Sequence, residues 1–213
     1  MRHRLGMFCL IVFSLITTGV LAQEDFSANV VTQKDGKQTT SPTRIYITKD
    51  KMRFESSQPN GHSGAMIVNF STQTSDVLMP ERKMYMEFPT GQGPGARQMQ
   101  GLFRVRDVED ACGDWQKLAA KPGGTCRKVG SETVNGRSTV KYQGTSASGE
   151  VSNIWLDPKL RFPVRWETKD SGGELQEIKE GSQPASLFAI PGDYQKMQMP
   201  AGMPGMPGMP PQH

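Results

Sequence analysis

The stretch RIYITKDKMRFES, Arg44 to Ser56, decides how the chain is read. Ile45 and Ile47 fall on one side of an alternating run, and Arg44, Tyr46 and Thr48 on the other. After a polar break at Lys49-Asp50 the alternation resumes, with Met52 and Phe54 set against Lys51, Arg53 and Glu55. A period of two on both sides of a short polar break predicts two strands and a tight turn, with one apolar and one charged face.

The same pattern spreads outward from this hairpin. FSANVVTQ (Phe26–Gln33) reads as a strand before it, and AMIVNFS after it places Met66, Val68 and Phe70 on one face. DVLMP and MYMEF follow across short turns, with Met84, Met86 and Phe88 opposite Tyr85 and Glu87. Such turns join antiparallel neighbours, so the first half is a β-meander. The glycines and Pro94 of residues 89–101 interrupt it and predict a mobile loop. In residues 107–120, Val108, Ala111, Trp115 and Leu118 recur at helical spacing, with Asp107 as the expected cap and Glu109 and Asp110 in the first turn. Strands then return. Asn135-Gly136 is a hairpin signal, Pro163 is able to begin a strand, and PASLFAIPGDY (Pro184–Tyr194) predicts a short helical turn with an extended exit. About ten strands with one clear helix make a single mainly β domain.

The first 22 residues carry Arg2, His3 and Arg4, an apolar run from Leu5 to Leu21, and a small-residue end at Ala22. They read as a signal peptide, its apolar run broken by Ser14, Thr17, Thr18 and Gly19, so no transmembrane span is expected after cleavage. Cleavage takes two of the 25 basic residues and none of the 21 acidic ones, lowering the formal charge from +4 to +2. No basic run with interleaved aromatics points to nucleic acid. An exported chain, periplasmic or secreted, meets an oxidising compartment, where Cys112 and Cys126 are expected to form a disulfide worth roughly 3 kcal/mol. The competing zinc site lacks ligands, since only His62 and His213 remain after the leader. The domain spans residues 23–196. Residues 197–213 hold three Gly-Met-Pro triplets and predict a disordered tail. Its Met197, Met199, Met203, Met206 and Met209, with His213, are a sharper candidate for soft-metal capture, Cu(I) above all.

Catalysis needs a positioned base, nucleophile or metal. His62 sits in a polar turn, and Glu167, Glu174 and Glu177 fall on outer strand faces with nothing to pair them. There is no G-x-S-x-G elbow, H-E-x-x-H pair or phosphate loop, so no enzyme, cofactor, catalytic residue or resident metal is expected. What remains is the apolar face: Ile45, Ile47, Met52, Phe54, Val68, Phe70, Met84, Met86 and Phe88, with Trp155 and Trp166 extending it. One short helix covers little of a sheet of about ten strands; the rest curls on itself, binds a partner or binds a ligand.

The hairpin, the meander IVNF…DVLMPERKMYMEF, the stretch IWLDPKLRFPVRWE and the close SLFAIPGDYQKM together resemble the LolA/LolB-like superfamily. They look closest to its exported DUF4412-type members, over roughly Phe26 to Met197. The resemblance implies a single strongly curved antiparallel sheet, an unfinished barrel with one or a few helices plugging its concave side. It also implies a cavity for acyl chains, and a role for Arg53, in KMRFE, as a lid tether. The chain departs from the carriers in having one helix, the Cys112–Cys126 insertion and the Met-Pro-Gly tail. The leading expectation is a non-enzymatic binder of a lipid or acyl chain. The alternatives are an envelope scaffold with a filled core and a protein partner, and metal handling by the tail.

Overall fold

The computed structural model describes residues 24–38, 43–57, 63–90, 105, 107–118 and 123–197. The leader, His62, most of the glycine-rich loop and the tail beyond Met197 lie outside them. Thirteen strands form one sheet. They are β1 (Phe26–Lys34), β2 (Lys37–Gln38), β3 (Thr43–Ile47), β4 (Lys51–Ser57), β5 (Ser63–Asn69), β6 (Thr74–Met79) and β7 (Met84–Pro89) in the first half. The second half adds β8 (Thr125–Val134), β9 (Arg137–Thr145), β10 (Val151–Asp157), β11 (Phe162–Glu167), β12 (Ser171–Glu180) and β13 (Gln195–Lys196). The sheet order is β13-β7-β6-β5-β4-β3-β1-β12-β11-β10-β9-β8, with β2 beside β1. Two meanders are thus fused along β1 and β12, and the outermost strands, β13 and β8, do not meet.

The turns follow local chemistry. Asn135 and Gly136 take φ of 49° and 78°, the pair of positive values that a two-residue hairpin turn needs. The Lys49-Asp50 break is closed by the Thr48 amide on the Lys51 carbonyl at 2.9 Å. Between β6 and β7, Pro80–Arg82 makes a 3-10 turn that ends at Lys83 with φ 49°. The strands that alternation does not announce, β2 and β13, are two residues each. β13 also departs from the expected antiparallel sheet, because it runs parallel to β7.

The helix α1 covers Ala111–Leu118 and begins four residues later than the expected start at Asp107. Asp110, not Asp107, caps it: the Asp110 carboxylate accepts the Gly113 amide at 3.4 Å. Asp107 instead accepts the Glu109 amide at 2.8 Å and shapes the preceding turn. Cys112 bonds Cys126 across to β8, so the expected disulfide is present.

The main core joins Phe26, Ala28, Ile45, Ile47, Met52 and Val68 of the first half to Val134, Trp155, Leu160, Phe162, Val164 and Leu175 of the second. Residues from so many strands meet only because the sheet curls around them. Bulges at Ser27/Asn29, Lys128/Gly130 and Trp155/Leu156 add to that curl. Arg137 on β9 reaches Glu180 on β12, three strands away, at 2.8 Å. It also pairs with Asp157, whose other oxygen accepts the Lys159 and Leu160 amides at 2.8 and 3.0 Å. A separate cluster of Val140, Tyr142 and Leu156 holds α1 on the other face of β9 and β10 from Trp155.

Candidate functional site: an apolar sheet face

Strand register sorts the expected apolar residues into two cross-strand rows. One runs Phe26, Ile47, Met52, Val68, Ser75 and Phe88, each the partner of the next across β1, β3, β4, β5, β6 and β7. All six are buried, and Ile47 and Met52 are at most 2% exposed. The other runs Ala28, Ile45, Phe54, Met66, Val77 and Met86 over the same strands. It begins fully buried at Ala28 and Ile45 and becomes half-buried from Phe54 onward. Met79 and Met84, cross-strand partners on the same face, continue this half-buried surface towards the β7 edge. Phe70 is half-buried against the main core.

The structure therefore brings Ile45, Ile47, Met52, Phe54, Val68, Met84, Met86 and Phe88 onto one face, and divides them. Ile45, Ile47, Met52, Val68 and Phe88 are core; Phe54, Met84 and Met86 are partly open. Met66, already set on this face with Val68 and Phe70, completes the open part together with Val77 and Met79, which were not among the expected residues. The signal was present in AMIVNF and DVLM, whose alternation sets Met66, Val77 and Met79 on this side.

The tryptophans join this core from the second half: Trp155 belongs to the main cluster with Ile45, Ile47, Met52 and Val68, and Trp166 packs against it. Trp155 is 3% exposed, donates its indole N–H to Glu132 at 2.6 Å, and lies between Lys141 and Arg165 at 4.6 and 4.8 Å from its ring. The Trp155 hydrogen bond and then Lys141 hold the Glu132 carboxyl below its ordinary value. Trp166 is half-buried and lies over Gly173, where an added Cβ would come within 2.4 Å of the indole.

Arg53 lies on the opposite face, in a row with Tyr46 and Ile67. Its guanidinium donates to Glu55 at 2.7 Å and to the Leu187 carbonyl at 2.8 Å. It thereby pins the 3-10 turn Ala185–Phe188, whose Phe188 packs on Ala65, Ile67 and Leu78. Arg44 on this face donates to Asn29 and Ser27 at 2.9 and 2.8 Å. Asp76 shares it too, 9% exposed, with one carboxylate oxygen lacking a hydrogen-bond partner. Burial first, and then Glu87, push the Asp76 carboxyl above its ordinary value, while Lys196 pulls it down.

A cleft of about 400 Å³ between the β1–β2 turn and the β11–β12 turn is lined by Gln33, Asp35, Arg165, Glu167, Lys169 and Glu174 among others. Among the described residues, no three histidines, cysteines or acids gather as a metal site. No described helix is long and apolar enough to cross a membrane.

No protein-family model matches the chain, and no curated protein matches it in sequence. Solved structures do. An uncharacterized conserved protein from Thermus thermophilus is similar at 13% identity over 83% of this chain and 91% of that one, with a TM-score of 0.52. A LolA superfamily protein from Nitrosomonas europaea matches at 12% identity over 78% and 90%, with a TM-score of 0.36. MucB, in the MucA/MucB complex of Pseudomonas aeruginosa, matches at 14% identity over 84% and 59%, with a TM-score of 0.39. At the identity of the Thermus protein, the likeness is one of fold.

Proposed function

We infer that the chain is an exported, non-enzymatic binding module of LolA-like, DUF4412-type character, holding a lipid or acyl chain along Phe54, Met66, Val77 and Met86. The observation that carries this is the graded row. Four apolar side chains on adjacent strands stay half-buried, while their neighbours Ile45 and Met52 are sealed in the core. Adjacent strands lie about 4.8 Å apart, so four of them offer a track roughly 14 Å long, suited to a flexible hydrocarbon. Met66 and Met86 add adaptable, polarizable surface to it. The 3-10 turn Ala185–Phe188 packs on the opposite face.

The disulfide fits an oxidising compartment, in line with export. The second reading, an envelope scaffold with a protein partner, draws on the sealed half of the face, where Ile47, Met52 and Val68 leave no room for a guest.

Lipid mass spectrometry on the purified protein, with titration of a fluorescent fatty acid, tests the proposal. Saturable binding that Val77→Glu reduces at least tenfold, with little change in the unfolding midpoint, is the expected result. Absence of both co-purified acyl species and saturable binding rejects it and leaves the scaffold.

A further inference from the structure

The β7 corner of the apolar face carries an excess of methionine. Met79 on β6 and Met84 on β7 are direct cross-strand partners, which sets their β-carbons about 5 Å apart. Met86 lies two residues along β7, on the same face. β13 then brings a fourth. Gln195 and Lys196 pair in parallel with Met84 and Tyr85, and the Met197 amide donates to the Tyr85 carbonyl at 2.8 Å. Lys196 turns to the opposite face, where it bonds Glu87 at 2.8 Å. Alternation therefore sets Met197 on the methionine face, beside Met86.

All four methionines are half-buried, whereas Met52, on the same face of β4, is sealed at 1% exposure. Filling gaps in a core is the ordinary use of methionine, and Met52 has it. A half-exposed strand position has no gap to fill, and strands favour β-branched and aromatic residues there. Glu87, the carboxylate in the middle of the strand, faces the other way with Lys196. Neutral, soft sulfur is thus the main donor chemistry of the corner, beside the neutral amide of Gln195 on β13. Thioethers select Cu(I) and its closed-shell analogue Ag(I) over hard divalent cations. The chain leaves this corner at Met197 and continues through Met199, Met203, Met206 and Met209.

We propose that Met79, Met84, Met86 and Met197 form a soft-metal site for Cu(I), a first binding position at the root of the methionine-rich tail. The site stands on strand register and does not rest on the acyl-chain reading.

Ag(I) titration of the full exported chain, followed through methyl-13C methionine NMR, tests it. The first equivalent is expected to shift the methyls of Met79, Met84, Met86 and Met197 and to leave Met52 unmoved. In a Cu(I) competition assay with a bathocuproine chelator, Met84→Leu with Met86→Leu should weaken the first equivalent at least tenfold. Replacing Met199, Met203, Met206 and Met209 by Leu should lower only the stoichiometry. Shifts confined to the tail methyls, or unchanged first-equivalent affinity in the Met84→Leu, Met86→Leu protein, would overturn the proposal. If that protein fails to fold, the methyl map of the unaltered chain decides alone.

Discussion

Asp76 shows how one residue reports on its surroundings. It stands between Ile67 and Glu87 in cross-strand register, nearly sealed, with one oxygen unpartnered. Its carboxyl is raised from the ordinary 3.8, so the folded state holds the proton more tightly than the unfolded chain does. Its contribution to stability is therefore greatest below that ordinary value and declines as pH rises through the folded one. Asp76→Asn removes the charge and keeps the shape. The two proteins should be equally stable in acid, and the Asp76→Asn protein the more stable at neutral pH. Urea midpoints across this window check it; an Asp76→Asn protein that is less stable at neutral pH contradicts the account. Paired acids behave oppositely. Glu180 is lowered by Lys159 and Arg137, so what it contributes is lost as pH falls.

At the scale of elements, α1 is the least self-sufficient part of the described fold. Eight residues with Gly113 inside them are too few for a helix that is stable alone. Contacts to the sheet hold it: Trp115 meets Tyr142 edge-on at 5.3 Å, the Ala111 amide donates to the Tyr142 hydroxyl at 3.4 Å, and Cys112 is bonded to Cys126. The same hydroxyl donates to the Val108 carbonyl, in the turn before the helix, at 2.7 Å. Burial raises the Tyr142 hydroxyl above its ordinary value. Cys112→Ser with Cys126→Ser should lower stability by about 3 kcal/mol. It should also raise the solvent accessibility of Trp115 in fluorescence quenching, while the signature of the main sheet persists. Unchanged quenching would show that the aromatic contacts suffice. Helical spacing in residues 107–120 signalled this element, but its start was misplaced. Asp107 and Asp110 are both suitable caps by type, and only the geometry of the turn at Glu109 selects Asp110.

The whole molecule is a curl held by a small polar clasp. Arg137 joins Asp157, whose side chain is 3% exposed, to Glu180, and Lys159 also pairs with Glu180. Removing the cation leaves a buried carboxylate without its counter-charge, so Arg137→Ala should cost about 3 kcal/mol in chemical denaturation. A loss below about 0.5 kcal/mol, the range of an ordinary surface substitution, would assign the curl to the apolar core alone. The alternation in RIYITKDKMRFES was enough to determine the hairpin, the side on which each residue lies, and the apolar character of the face, because side-chain direction in a strand has a period of two. Asn135-Gly136 likewise announced its turn, and the even pair of cysteines its bond. Only the tertiary structure decided which part of that face is sealed. Ile45 and Phe54 are cross-strand partners with the same local pattern, yet one is buried and the other half-open. The difference comes from β1 pairing with β12, some 140 residues along the chain, which brings Phe162, Val164 and Leu175 over one end of the face and leaves the β7 end clear of them. Local periodicity contains no information about that pairing, since burial depends on which distant strands the curl brings together.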